Sequence, residues 1–313
     1  MNMFLIFLVT FLFGMILINF FRKLSERNNF LVDIPEGDIL KIHKKNISLF
    51  GGLAMATVIV AFTIIFNGQS YFLKTIGFIL GLITIFLLGF WDDLKWKHIS
   101  QIKPFVKFFL LIMCTFTVAL ILWQTHITFD FLPVAVLSIT SSFIYIFLVI
   151  NSVNYQDGMD GLAGGLVFIS LLGFIFLSLI YGNNFTLVIS VISLGAVASF
   201  LVFNFPPTKI FMGDSGAYLL GFILAVLAIS FSKTYNIYSV LGPMLIIGMP
   251  IIDGVFTNIR RLAAGKSIFL GDRSHFYDNL LQKGFSTKKT LAICYFLQIL
   301  LVLIGIVLYQ KYV

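Results

Sequence analysis

Charge is what these 313 residues have least of: 11% are Asp, Glu, Lys or Arg, against 59% hydrophobic, and the mean hydropathy is +1.04. Soluble domains carry about 25% charged residues, so no stretch of this chain reads as one, and the composition predicts a polytopic membrane protein with a single domain over 1–313. Cysteine is nearly absent. Cys114 and Cys294 each sit inside an apolar run, where a free thiol is a packing residue and carries no information about redox compartment. The first apolar run, Asn2 to Phe21, lacks a small-residue cleavage site, so it is expected to stay as a helix. No internal repeat is evident, which removes the usual signature of a transporter with midplane carboxylates. The net charge of +8 does not point to nucleic acid, because the basic residues flank apolar runs and topology accounts for them.

Runs long enough to cross a bilayer predict an all-α fold of ten transmembrane helices, ten or eleven at most. They lie at about 2–21, 50–67, 72–91, 104–123, 133–152, 163–182, 186–204, 217–232, 238–257 and 290–309. The loops between them alternate in charge. All of the 21 Lys and Arg residues except Lys74, Lys233 and Lys311 fall on one side, and so do all of the 13 Asp and Glu except Asp130. By the positive-inside rule that side is cytoplasmic and both termini are outside. The carboxylates, which the rule does not use, thus gather on the same face.

Three acidic loops occupy that face. Asp92 and Asp93 follow Gly89 and Trp91 at a helix exit, and adjacent carboxylates repel unless a cation or substrate relieves them. Asn151, Asn154, Asp157, Gly158, Asp160 and Gly161 put two amides and two carboxylates between strongly apolar runs, with no Lys or Arg among them. Such a cluster is costly at a membrane helix end unless it binds something. Asp214, between Gly213 and the Ser215-Gly216 pair, follows the rigid Pro206-Pro207 turn and is expected just before a helix. The last loop on this side holds Arg260, Arg261, Lys266, Arg273, Ser274 and His275. Arg273 to His275 supply donors suited to a diphosphate. Asp253 in the preceding run and His43 beside Lys44 are further candidates, and Gly51-Gly52 permits close helix packing or ligand approach.

Taken in order, Asp92-Asp93, the Asn151 to Gly161 cluster, the Phe211 to Gly216 segment and the Arg273 to His275 loop resemble the polyprenyl-phosphate N-acetylhexosamine-1-phosphate transferases. That family includes the phospho-MurNAc-pentapeptide translocase and the enzymes that start O-antigen, enterobacterial common antigen and teichoic acid. The similarity runs from about 33 to 284. It implies a cytoplasmic active site in the bacterial inner membrane, Mg²⁺ dependence with Mn²⁺ as a substitute, a UDP-HexNAc donor and undecaprenyl phosphate as acceptor, with room for a homodimer. By the resemblance Asp214 and Asn154 hold the metal. Asp92 and Asp93 deprotonate or orient the lipid phosphate, and Asp157 and Asp160 hold the site or the donor. Asn151, Lys41, His43, Lys95, Lys209, Arg273, Ser274 and His275 bind substrate.

Two departures leave the sugar open. The family often shows a His-x-His-His run, whereas Phe276, Tyr277 and Asp278 follow His275 here. Prolines usually precede its Gly-Gly, where this chain has Asn46, Ser48 and Leu49. The Arg-Ser-His-x-Tyr form looks more like the O-antigen and capsule initiators, which points to GlcNAc or a deoxy-HexNAc. The expected reaction is transfer of HexNAc-1-phosphate with release of UMP, by direct attack of the lipid phosphate. An intramembrane aromatic prenyltransferase is the rival enzyme reading, set aside because glycines interrupt the aspartate spacing. A transporter is the rival outside enzymes.

Overall fold

The computed structural model describes residues 2–33, 47–67, 69–96, 104–131, 134–265 and 273–313. Lys41 and His43 lie outside them, as does the side chain of Lys95. The elements in order are α1 (Met3–Asn28), strands β1 (Val32–Asp33) and β2 (Ile47–Ser48), α2 (Gly51–Asn67), α3 (Phe72–Trp96), α4 (Pro104–Gln124), α5 (Ala135–Tyr155), α6 (Leu162–Tyr181), α7 (Asn184–Asn204), α8 (Gly213–Ile229), α9 (Tyr238–Ile246), α10 (Gly248–Ala263), α11 (Phe276–Gln282) and α12 (Thr287–Tyr312). Each of the ten expected spans falls on helix. Among the described residues seven helices are long and apolar enough to cross a membrane, eight if the bent pair α9 and α10 counts as one, and α2 and α8, at 17 residues each, are apolar but shorter.

Helix α8 is the core of the bundle. Every residue from Ser215 to Ile229 is buried, and the helix packs against α3, α5, α2 and α6. Apolar surface alone would suit lipid as well; what fits α8 for the centre is its small residues, Gly216, Ala217, Gly221, Ala225 and Ala228, which let neighbouring helices approach closely. Glycines bring its neighbours close: a Cβ at Gly221 would stand 2.7 Å from Ile150 Cα, and one at Gly81 would meet the Phe222 ring at the same distance. The peripheral helices α1, α4 and α12 turn Phe4, Ile16, Phe105, Phe109, Leu303 and Ile304 outward, as lipid-facing surfaces do.

Three local features differ from the sequence expectation, and two of them shape the site. Helix α8 begins at Gly213, so Asp214 stands in its first turn and not in the loop before it. Helix α3 continues to Trp96, so Asp92 and Asp93 are helical residues of fixed orientation. The ninth run is not one span: α9 and α10 meet at 92°. Gly248 and Pro250 sit at the break, where proline in a first helical turn costs no hydrogen bond. The backbone groups freed there are met by Gln298 of α12, which is fully buried. Its Oε1 accepts from Met249 N at 2.9 Å, and its Nε2 donates to Ile246 O at 2.7 Å and to Ser170 Oγ at 2.9 Å.

Candidate active site

The site is set by the close approach of α3 to α8. A Cβ on Gly89 would come within 2.6 Å of Ser215 Cα, so only glycine lets the two backbones meet. One turn further along α3, Asp93 reaches the start of α8. Its Oδ1 accepts the amide of Asp214 at 2.8 Å and its Oδ2 that of Ser215 at 3.0 Å. A carboxylate at a helix N-terminus satisfies orphan amides and opposes the helix dipole. Gly213 makes room for it, with φ at +69° and a position where any Cβ would sit 2.6 Å from Asp93 Oδ2. Asp93, expected to handle the lipid phosphate, is therefore committed at both oxygens to positioning Asp214.

Asp214 joins the other loops. Asn154 Nδ2 donates to its Oδ1 at 2.8 Å, and Lys107 Nζ donates to its Oδ2. The same ammonium lies 2.6 Å from Asp92 Oδ2 and 5.6 Å from the centre of the Tyr218 ring. One lysine from α4 thus bridges carboxylates of α3 and α8. The acidic turn after α5 is stitched to the turn before α8 by Asn204, whose Oδ1 accepts Gly161 N at 2.9 Å and whose Nδ2 donates to Ile210 O at 2.9 Å. That turn is tied in its own right to β2 and α2: Phe211 N donates to Ser48 O at 2.8 Å, and Gly51 N and Gly52 N donate to Phe211 O and Met212 O at 3.1 Å.

Asp157 is different, because its side chain accepts no hydrogen bond and makes no ion pair among the described residues. Burial, with the carboxylates of Asp214, Asp93 and Asp160 around it, pushes its carboxyl well above the usual range. Asn151 turns its amide back to Phe147 O at 2.7 Å on its own helix, and Lys209 is exposed. Neither is brought into the cluster by a contact seen here.

The donor set decides which metal could fit. Among the described residues no three His, Cys, Asp or Glu side chains converge as a metal cage. What is present is oxygen chemistry: Asp92 and Asp214 with one ammonium between them, and the unpaired Asp157 beside them. Mg²⁺ takes one or two carboxylates and keeps waters and phosphate oxygens for its remaining positions, so a hard divalent cation fits this set, whereas a zinc site would not.

The last loop forms a second cluster packed against the first. His275 is buried, with Nδ1 2.9 Å from Asp253 Oδ2, and its ring lies between those of Tyr155 and Tyr277, at 5.2 and 5.9 Å. Asp253 is fully engaged: Gln156 Nε2 donates to Oδ2 at 2.8 Å and Phe276 N to Oδ1 at 2.8 Å. His275, expected to be a donor to substrate, is thus at this nitrogen an internal latch, because burial beside a carboxylate favours pairing over exposure. Ser274 O accepts from Arg260 and from Asn279 Nδ2, and Arg273, held through its carbonyl by Gln282 Nε2 at 2.8 Å, leaves its side chain exposed. A Cβ at Gly158 would collide with the Tyr277 hydroxyl, so the acidic turn and the latch share one wall.

The sequence pattern of glycosyl transferase family 4 matches residues 75–232, which runs from α3 through α8 and contains all of the carboxylate cluster. The chain belongs to glycosyl transferase family 4. Among similar proteins is a probable undecaprenyl-phosphate N-acetylglucosaminyl 1-phosphate transferase of Bacillus subtilis (strain 168), 29% identical over 278 residues, 86% of this chain and 75% of that one. A phospho-N-acetylmuramoyl-pentapeptide-transferase of Dictyoglomus thermophilum is 31% identical over 285 residues, 88% of this chain and 87% of the relative. A decaprenyl-phosphate N-acetylglucosaminephosphotransferase of Mycobacterium tuberculosis (strain ATCC 25618 / H37Rv) is 34% identical over 167 residues, 47% of this chain and 41% of its own length. This family 4 chain is therefore a multi-pass membrane transferase. Reading the sequence missed Lys107 and Gln156. Lys107 passes for one more topological charge, and only its place in the first turn of an apolar run sets it apart.

Proposed function

We propose that this family 4 transferase moves a HexNAc-1-phosphate from a UDP-HexNAc donor to a polyprenyl phosphate in the bilayer, releasing UMP. The observation that carries the reading is the gathering of Asp92, Asp214, Asn154 and Lys107 at one end of the bundle, beside an unneutralised Asp157. Phosphoryl transfer asks a protein for positioning and charge neutralisation more than for covalent chemistry. Bound Mg²⁺ supplies neutralisation of the diphosphate oxygens. Asp214 and Asn154 hold that cation, Asp92 orients the acceptor phosphate, Asp157 and Asp160 line the donor side, and Asp93 fixes Asp214. An acceptor monoester with a second pKa of about 6 is already largely ionised at neutral pH, so direct attack needs no strong base.

The distribution of Lys and Arg supports a cytoplasmic site with both termini outside. The relatives' names, an undecaprenyl-phosphate N-acetylglucosaminyl 1-phosphate transferase and a phospho-N-acetylmuramoyl-pentapeptide-transferase, support the donor class, and the Arg273 to Tyr277 segment supports GlcNAc or a deoxy-HexNAc as the sugar of a surface polymer. The test is UMP release from purified protein given undecaprenyl phosphate, Mg²⁺ and, in turn, UDP-GlcNAc, UDP-GalNAc and a UDP-deoxy-HexNAc. One donor should release UMP only with lipid present, and Asp214→Asn should abolish it. Release from none of them, or undiminished release by the variant, overturns the proposal.

A further inference from the structure

The Lys107 ammonium sits on the carboxylate oxygens that a divalent cation at Asp214 would compete for. It contacts Oδ2 of Asp214 and lies 2.6 Å from Oδ2 of Asp92, and Asp214 Oδ2 is the oxygen of that carboxylate that Asn154 does not hold. Mg²⁺ binds carboxylate oxygen at about 2.0–2.1 Å. A cation so bound to Asp214 Oδ2 would lie no more than about 4.5 Å from the ammonium nitrogen, a separation at which two like charges repel by several kcal/mol at protein dielectric.

The lysine is also built to be both held and released. Tyr218 lies one helical turn on from Asp214, and its ring face receives the ammonium at 5.6 Å, an attraction that seats the charge without binding it tightly. The four-carbon stem from α4 is flexible. Among the described residues no second ammonium or guanidinium pairs with Asp92 or Asp214. Without Lys107 the carboxylates of α3 and α8 would face each other unrelieved in a low-dielectric setting.

We propose that Lys107 is an internal counter-ion which holds Asp92 and Asp214 together in the metal-free protein and which the divalent cation displaces, so that ammonium and metal exclude each other. The proposal rests on the reading of this site as one that takes a hard divalent cation. The displaced ammonium remains tethered beside the site, free to meet a phosphate oxygen once one is present.

The test is Mn²⁺ binding to the full-length protein in detergent, without donor or lipid, read from the electron paramagnetic resonance signal of free Mn²⁺. Lys107→Met should bind Mn²⁺ roughly tenfold more tightly than the unaltered protein, within the usual range of coupling between two ligands of one site. Its metal-free form should melt lower and gain more from Mn²⁺. Lys107→Arg, which keeps the charge and guards against a Met variant that fails to fold, should bind no more tightly than the unaltered protein. Equal or weaker binding by Lys107→Met, or tighter binding by Lys107→Arg, overturns the proposal. Asp214→Ala separates the two ideas: if the unaltered protein binds Mn²⁺ and Asp214→Ala does not, the metal reading stands whatever Lys107 does. If both bind alike, that reading falls and the counter-ion falls with it.

Discussion

Asp93 accepts the amides of both Asp214 and Ser215, at 2.8 and 3.0 Å, while its neighbour Asp92 pairs with Lys107. Two adjacent carboxylates thus have different duties, because successive residues of a helix point about 100° apart. The variants should separate them. Asp92→Asn should cut UMP release by at least about a hundredfold, the scale of removing an oriented charge at a reacting group, with melting temperature almost unchanged. Asp93→Asn loses one of two charge-assisted bonds, each worth on the order of 1.5–3 kcal/mol, and should lower the melting temperature as well as the rate. Equal melting temperatures for the two variants would refute the division.

The His275 latch gives a second expectation. Asp253 fixes the ring of His275, the amide of Phe276 and the side chain of Gln156, and through them the loop that carries Arg273. Asp253→Asn removes the charge from that hub, and a buried hydrogen-bonded acceptor of this kind costs about 1–3 kcal/mol to disable. Kinetics of the variant should show a raised KM for the nucleotide-sugar with a smaller change in kcat, since the acceptor carboxylates are elsewhere. A fall in kcat alone would place Asp253 in the chemistry and not in the latch.

Asp157 supplies a pH test. Its folded pKa lies above the unfolded value of about 3.9, so between the two the folded state binds more protons, and stability falls as pH rises through that window. Above it the ionised group carries its full penalty. Asp157→Asn should therefore melt higher than the unaltered protein without metal at pH 8, and the gain should shrink as pH approaches 4. Added Mg²⁺ should narrow the difference, because it offsets the charge that the amide lacks. A variant that melts lower than the unaltered protein throughout would mean that Asp157 has a partner it depends on.

How far the chain could be read without its structure follows from the range of each interaction. That the chain is a helical membrane protein was legible because apolar helices are specified locally, by length and hydropathy. That carboxylates such as Asp92, Asp157 and Asp214 would come near one another was legible because carboxylates are rare in this composition and fall on one face. Lys107 was not. It stands among Lys95, Lys97 and Lys103, all expected on topological grounds, and its pairing with Asp214 joins residues 107 apart in sequence. Asp93 was read as a twin of Asp92 because nothing in the sequence says which neighbour faces α8. The run 238–257 looked continuous because hydropathy does not register a right-angle bend, although Gly248 and Pro250 were there to be weighed.

That bend carries the last prediction. Irregular backbone inside a membrane bundle needs partners from the protein, since no water is at hand. Gln298 meets Met249 N and Ile246 O on either side of the break and is anchored by Ser170. Replacing it with an apolar residue of similar size leaves one buried donor and one buried acceptor unmet, at about 1–3 kcal/mol each. Gln298→Leu should accordingly lower the melting temperature more than Leu303→Ala, a truncation on the exposed face of the same helix. Activity should fall too, because α10 carries Asp253 from the break to the latch. Gln298→Glu keeps the acceptor for Met249 N and, when protonated, can donate its hydroxyl to Ile246 O, so it should recover part of the stability; ionised, it would set a buried charge against that carbonyl and recover none. A Gln298→Leu protein as stable as the unaltered one would show that the break is held by packing alone.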